Sequence, residues 1–322
     1  MRVLVTGASG MLGRSVAEQL VADGLDVRCF QRRPAGVAGA EDVLGSVSDR
    51  TAVDRASREC DAVIHLAAKV SFTGAVEEFR RTNVDGTRNV LDAAQRHGVT
   101  DVVYVSSPSV AHHGASLVGA PAGPADPARA RGDYARTKAA AELLALGSST
   151  PDFRVAAVRP HIVWGPGDTQ LVERVIERAR RGRLPLVDEG TALIDTTYVD
   201  NAADAIIACL TRMDRAVGQA LVVTNGEPRP VAELLAGMCR AGGVVPPRWS
   251  VPGAVARGAG GVIEHVWSRL GRTDEPPMTR FLAEQLSTAH WFDQRHTRSV
   301  LDWRPRVGIY EGFERLAAHY GR

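Results

Sequence analysis

The first half of the chain alternates short β-branched, apolar runs with longer stretches in which apolar positions recur at helical spacing. Strands are expected at Arg2 to Thr6, Asp26 to Gln31, Ala62 to Leu66, Val102 to Ser106 and Arg154 to Arg159. Helices are expected near Leu12 to Ala22, Arg50 to Glu59, Val76 to His97 and Asp133 to Leu146. Strands separated by helices pair in parallel through crossovers, so the pattern predicts an α/β fold, a doubly wound parallel sheet with helices on both faces. The stretch from Ala111 to Gly132 is dense in Gly, Ala and Pro. It reads as a loop at the carboxyl end of a strand, the edge at which such sheets take ligands.

Beyond Pro160 the alternation lapses, and Gly165, Pro166 and Gly167 punctuate the pattern. A helix is expected around Leu171 to Arg181, and Ile194 to Leu210 with Ala220 to Thr224 read as a helix and strand returning to the sheet. The expected division is a larger domain over 1–165 and 196–224 and a smaller one over 166–195 and 225–322. Val251 to Leu270 is the most apolar long stretch, but Arg257, Glu264, His265 and Arg269 interrupt it. It falls short of the roughly 18 to 20 apolar residues of a membrane span and reads as an amphipathic helix.

At 322 residues and 44% hydrophobic content the chain can bury a large core, which argues against disorder. Its net charge of +2 provides no general field for a nucleic-acid backbone, so any anion site is local. Cys29, Cys60, Cys209 and Cys239 show no C-x-x-C spacing, which speaks against a zinc site or a disulfide framework and for a reducing cytoplasm. A strand pattern starts within two residues of the N-terminus, with no basic and apolar leader, so the chain is expected to begin here.

The opening strand runs into Thr6-Gly7-Ala8-Ser9-Gly10-Met11-Leu12-Gly13, a glycine turn followed by a helix start. Glycines let a backbone approach a pyrophosphate, and a helix N-terminus offers free N–H groups and partial positive charge. The G-x-x-G-x-x-G spacing directly after the first strand points to dinucleotide binding rather than an ordinary turn. At the tip of the second strand an acid would accept from both ribose hydroxyls and repel a 2′-phosphate. Here the tip reads Phe30-Gln31-Arg32-Arg33. A guanidinium holds phosphate through paired charge-assisted bonds, so NADP(H) is favoured, with Arg32 ahead of Arg33; two solvated loop arginines are the bland alternative.

Tyr134 and Lys138 lie four residues apart, on one face of a helix. Ketone reduction needs a proton donor at oxygen as hydride reaches carbon, and a nearby lysine cation is expected to lower the phenol's pKa. Ser106 and Ser107 end the preceding strand, where a hydroxyl can hold the substrate oxygen against the phenol; Ser107 is preferred. Among nine histidines only His112 and His113 are adjacent, too few ligands for a metal site, and His161 is expected on the nicotinamide side.

With these residues in view the chain resembles the extended short-chain dehydrogenase/reductases over essentially its whole length. Thr6 to Gly13, His65 to Ala68, Thr82 to Thr87 and Tyr134 to Lys138 fall in that family's order. The resemblance implies Ser107, Tyr134 and Lys138 as catalytic, with Tyr134 and Lys138 also touching the cofactor. It further implies cofactor contacts at Gly7, Ser9, Gly10, Met11, Leu12 and Gly13, at Ser46 and Val47, at Leu66, Ala67 and Ala68, and at Asn83, Pro160 and His161. The cofactor would occupy the larger Rossmann domain and the substrate the smaller one.

Within the family, the 3β-hydroxysteroid dehydrogenase-like branch is similar through Arg159 to Asp168 and Thr197 to Ala202. Ser106 to Val110, Glu275 to Phe281 and Ser287 to Asp293 bring it near the bacterial 2-alkyl-3-oxoalkanoate reductases. This implies reduction of the 3-keto group of a long-chain acyl acid, with steroid 3-hydroxyl oxidation and a non-catalytic NADP-binding regulator as alternatives. A homodimer through the Val76 to His97 and Asp133 to Leu146 helices is also implied, and contact with a membrane surface or a pathway enzyme is compatible with the Val251 helix. One departure stands out: where relatives carry Gly-Asp after the third strand, this chain has Gly45-Ser46-Val47, which removes a carboxylate expected at adenine.

Overall fold

A computed structural model describes residues 1–71, 74–269 and 279–321. In chain order its strands are β1 (Arg2–Thr6), β2 (Asp26–Gln31), β3 (Glu41–Leu44), β4 (Ala62–His65), β5 (Asp101–Val105), β6 (Leu117–Ala120), β7 (Arg154–Pro160) and β8 (Val163–Trp164). They continue as β9 (Leu186–Val187), β10 (Leu193–Ile194), β11 (Thr197–Tyr198), β12 (Ala220–Val223), β13 (Arg229–Pro230), β14 (Ser250–Val251) and β15 (His290–Phe292). The main sheet has seven parallel strands in the order β12-β7-β5-β4-β1-β2-β3. The direction of winding reverses between β1 and β4, which opens a crevice at their carboxyl ends.

Helices α1 (Met11–Ala22), α2 (Arg50–Ser57), α3 (Val76–Phe79), α4 (Gly86–Arg96), α5 (Gly132–Gly147) and α6 (Val172–Arg180) are followed by α7 (Val199–Thr211) and α8 (Met213–Ala216). The chain then forms α9 (Val231–Ala241), α10 (Gly253–Arg269), α11 (Arg280–Ser287), α12 (Arg295–Leu301) and α13 (Ile309–His319). Because strand side chains alternate, Val3, Val5, Ile64 and Val103 pack with α1 and α7 on one face, while Leu4, Val63 and Tyr104 pack with α2, α4 and α5 on the other. A third core around Trp164, Ile176, Tyr198, Leu234 and Met238 unites α6, α9 and α13. A smaller sheet, β13-β10-β15-β6, draws its strands from four distant parts of the chain.

Three expectations are corrected. The Ala111 to Gly132 stretch is not all loop: β6 pairs in parallel with β15, Leu117 opposite His290, a partner too distant to be visible in composition. The helix expected from Ile194 starts only at Val199, because β10 and β11 capture residues 193–198 and Asn225 Oδ1 accepts from Tyr198 N (3.0 Å). Residues 295–303, read with the smaller domain, pack on the main sheet: Leu301 and Trp303 join the core with Ile206 and Leu221, and Thr297 Oγ1 donates to Val222 O (2.8 Å). Glu275 to Met278 of the quoted motif lie outside the described residues. Among the described residues no helix is long and apolar enough to cross a membrane.

Candidate active site

At the tip of β1, Gly7 has φ +83°, and a Cβ there would sit 2.9 Å from Ala67 N on the β4 side. A Cβ on Gly13 would lie 2.4 Å from Gly7 O, so two of the three glycines are dictated by backbone approach within the protein. Gly10 differs: a Cβ would meet only Gly7 O at 3.6 Å. As the N-cap of α1, Gly10 supplies no side-chain acceptor, which leaves the first N–H groups of the helix open beside an exposed Ser9. The turn thus keeps a bare, electropositive cradle whose walls are Met11 and Leu12.

The tip of β4 is held by a buried chain of hydrogen bonds. Ala67 N donates to Thr6 Oγ1 (3.1 Å), Thr6 Oγ1 meets His65 Nδ1 (2.7 Å), and His65 Nε2 meets Thr87 Oγ1 (3.0 Å). Because Thr87 Oγ1 donates to Asn83 O (2.7 Å), the network assigns His65 as the neutral tautomer with its proton on Nε2. Burial, with Lys138 adding repulsion, lowers His65 to about 3. Leu66, Ala67 and Ala68 follow as half-buried walls of the crevice.

Asn83 sits in a π-helical turn, Arg80–Asp85, between α3 and α4. Its Oδ1 accepts from Lys69 N (2.7 Å) and its Nδ2 donates to Thr137 Oγ1 (3.0 Å) and Lys69 O (3.3 Å). At 1% exposure, with both amide hydrogens used, Asn83 ties the β4 loop to α5.

On the adenosine side, Arg32 and Arg33 are exposed beyond β2. The nearest acid, Asp42 of β3, is occupied: it accepts from Gln31 Nε2 (2.5 Å), Ala35 N (3.1 Å) and Gly36 N (3.4 Å). Ser46 begins the next turn, its Oγ accepting from Ser48 N (3.2 Å), and Val47 is buried against Gly86. Asp49 caps α2 through Thr51 N (3.0 Å) and Ala52 N (3.1 Å), so it does not replace the missing adenine carboxylate.

The helix α5 presents Tyr134, Lys138 and Glu142 at intervals of four, on a single face. Lys138, 3% exposed, directs Nζ to Val105 O at the end of β5 (2.6 Å) and lies 4.1 Å over the Tyr104 ring. Burial lowers it to about 7, opposed by Glu142. Tyr134 is pushed up to about 12 by burial, with a hydrogen bond to Ser107 pulling down. Ser107 is the side chain acting on Tyr134, while Lys138 Nζ is engaged by Val105 O and the Tyr104 ring. Ser107 caps the 3-10 turn Pro108–Ala111 and contacts Ser109 Oγ (3.0 Å), whereas Ser106 Oγ is buried with no partner among the described residues.

An ion pair that sequence reasoning missed fixes this helix. Arg159 and Glu142, each 1% exposed at the side chain, form a bidentate pair with Nε–Oε2 at 2.8 Å. Arg159 also donates to Ala122 O and to Gly123 O (2.9 Å), joining β7, α5 and the β6 loop. Glu142 stands four residues after Lys138, and that spacing was the available signal.

At the end of β7, Pro160 and the following His161 lie one strand over from the Ser107 turn, since Val105 pairs with Val158. His161 is 7% exposed, and its Nδ1 donates to Asp195 O (2.6 Å). Its ring meets Phe292 edge-on at 5.1 Å and His290 at 6.2 Å. His290 in turn faces His112, Nε2 to Nε2 at 3.1 Å. The adjacent pair His112-His113 noticed in the sequence is thus not the structural unit; His112 joins two histidines 49 and 178 residues later. All four cysteines are free and buried.

With the geometry established, comparison with known proteins is direct. Residues 3–224 match the model of the NAD dependent epimerase/dehydratase family. The chain is 39% identical over 327 residues to a 2-alkyl-3-oxoalkanoate reductase of Stenotrophomonas maltophilia (strain K279a), covering 99% of each. It is 27% identical to the decarboxylating sterol-4-alpha-carboxylate 3-dehydrogenase of Homo sapiens, covering 99% of this chain and 88% of that one. Among solved structures, MoeE5 in complex with UDP-glucose and NAD superposes with a TM-score of 0.78 at 25% identity, covering 100% of this chain and 99% of that one. The chain belongs to the NAD dependent epimerase/dehydratase family, the extended short-chain dehydrogenase/reductases, and is an oxidoreductase of that family.

Proposed function

We propose that this protein is an NADP(H)-dependent ketoreductase acting on a 2-alkyl-3-oxo acid. The observation that carries the mechanism is the single face of α5, which brings Tyr134 and Lys138 against Ser107 at the end of β5. The acyl substrate class is supported by the full-length likeness to a 2-alkyl-3-oxoalkanoate reductase. The open space at Gly10 and the uncapped start of α1 fit a pyrophosphate, and the residues of the Gly7 to Gly13 turn would hold it. NADPH, when bound there, supplies the hydride. NADP over NAD is supported by exposed Arg32 and Arg33 and by the engagement of Asp42 within its own loop.

Tyr134 donates a proton to the developing alkoxide, a task suited to a phenol that burial keeps protonated near neutral pH. Ser107 holds the carbonyl oxygen against the phenol and donates to the charge that builds there. Lys138, lowered to about 7 by burial, would return a proton toward Tyr134 and would hold the nicotinamide ribose. Asn83 keeps the β4 loop and α5 in register through Lys69 and Thr137.

The likeness to a sterol-carboxylate dehydrogenase favours one rival, oxidation of a sterol 3-hydroxyl. Both relatives' names place a carboxylate on the carbon beside the reacting one, and the proposed substrate shares that β arrangement. NADPH consumption with a series of 2-alkyl-3-oxo acids tests the reading. Rates that grow with acyl length support it; no turnover on any such acid, together with oxidation of a 3β-hydroxysterol, overturns it in favour of the rival.

A further inference from the structure

We propose that His290, held by His112 and backed by His161, is the carboxylate-recognition point for the β-oxo acid; this rests on the ketoreductase reading. The three imidazoles come from the loop after Ser107, the end of β7 and the strand β15, and they are 4%, 7% and 2% exposed. His290 and Phe292 alternate with Trp291 along β15 and face His161, so they lie on the side of the small sheet turned toward the carboxyl edge of β7. His161 stands about one strand spacing, ~5 Å, from the Ser107 turn. The cluster therefore borders the position of the reacting carbonyl.

The hydrogen-bond network shows which nitrogen of His290 is engaged and which is free. Gln285 Nε2 donates to His112 Nδ1 (3.4 Å), and His112 Nε2 donates to Ala115 O (2.9 Å). His290 Nε2 lies 3.1 Å from the same His112 nitrogen. The Thr288 hydroxyl, which donates to Glu284 O (2.6 Å), lies 3.1 Å from His290 Nε2 as well, so this nitrogen is engaged within the fold. Nδ1, by contrast, is buried and has no partner among the described residues. A buried polar nitrogen without a partner is costly in a native fold, and an incoming carboxylate oxygen, which selects the neutral tautomer with its proton on Nδ1, relieves that cost.

Other cations near the site are already paired, Arg131 with Glu284 and Arg159 with Glu142. A donor at His290 also suits the chemistry of the substrate. A β-oxo acid loses carbon dioxide most readily when its own acid proton passes to the ketone oxygen as the C–C bond breaks. A hydrogen bond from Nδ1 keeps the acid ionised. Ser107 and Tyr134 meanwhile hold the ketone oxygen, so the two groups are kept apart.

The test compares wild type, His290→Leu and His290→Asn on a 2-alkyl-3-oxo acid and on the ketone of the same chain lacking the carboxylate. Asn can place an N–H where Nδ1 stood; Leu cannot. The expected result is a KM for the acid raised roughly tenfold to hundredfold in the Leu variant, a collapse of the acid-over-ketone preference in kcat/KM, and recovery with Asn. Equal losses on acid and ketone, or an unchanged KM for the acid, overturn the proposal. Calorimetric binding of a 2-alkylalkanoate without the 3-oxo group to the NADP⁺ complex separates this inference from the function. Binding that depends on His290 in a protein that reduces no 3-oxo acid keeps the carboxylate site while the ketoreductase reading falls. Absent binding, or equal binding to wild type and the Leu variant, removes the site whatever the turnover.

Discussion

The two walls of the candidate site are built in opposite ways. On the α5 wall, Tyr134, Lys138 and Glu142 are neighbours because a helix repeats every 3.6 residues, and one buried pair with Arg159 locks that helix to β7. On the small-sheet wall, His112, His161 and His290 are spread over 179 residues of chain and meet only because β15 lies between β10 and β6. In the proposed reaction the chemical step would rest on the local wall and substrate choice on the assembled one. Reaction chemistry can then be kept within one helix while specificity changes by altering distant segments.

Breaking the local wall should give the largest effect. Tyr134→Phe is expected to lower kcat by roughly 10²- to 10⁴-fold while NADPH binding, followed by fluorescence, persists. A fall of less than fivefold would remove the phenol from the proton path. Next, Glu142→Leu strands the Arg159 guanidinium at 1% exposure, and a loss of about 3 to 5 kcal/mol is expected from urea unfolding. A loss under about 1 kcal/mol would show that the pair does not lock the helix.

At the cofactor end, Arg32→Ala should raise the NADPH KM roughly tenfold or more and leave NADH, poor in both proteins, unchanged. An unchanged NADPH KM would assign the arginine to solvent. The smallest effect sharpens the histidine wall. Burial lowers His161 to about 4 and, helped by His112 and His161, His290 to about 3. The unfolded chain binds these protons below its usual imidazole pKa of 6.5 and the folded chain does not, so acid favours unfolding. The stability of the wild type should fall as pH drops from 6.5 toward 4, and His161→Asn should flatten part of that slope in urea midpoints. A slope identical in the variant would place the acid sensitivity elsewhere.

Much of the first half of the fold was legible because its signals are short in range. The glycines of the β1 turn, the tip of β2 and the i, i+4 pair on α5 need no knowledge of the rest of the chain. Even there the tertiary structure added contacts that spacing did not show: Asn83 bonds Lys69 and Thr137, and Lys138 donates to Val105 O. Those bonds depend on how closely β4, β5 and α5 approach, which spacing alone does not give.

What the sequence determined by itself is the parallel sheet, the cradle between β1 and α1, and the face of α5. Helix and strand periodicity and backbone sterics act between residues a few positions apart. Only the tertiary structure decided that a Gly- and Ala-rich stretch becomes β6, that residues 295–303 pack on the main sheet, and that three scattered histidines form one buried cluster. Each of those outcomes needs a partner contributed by a remote segment, and burial in the assembled core supplies the energy that pattern and propensity cannot.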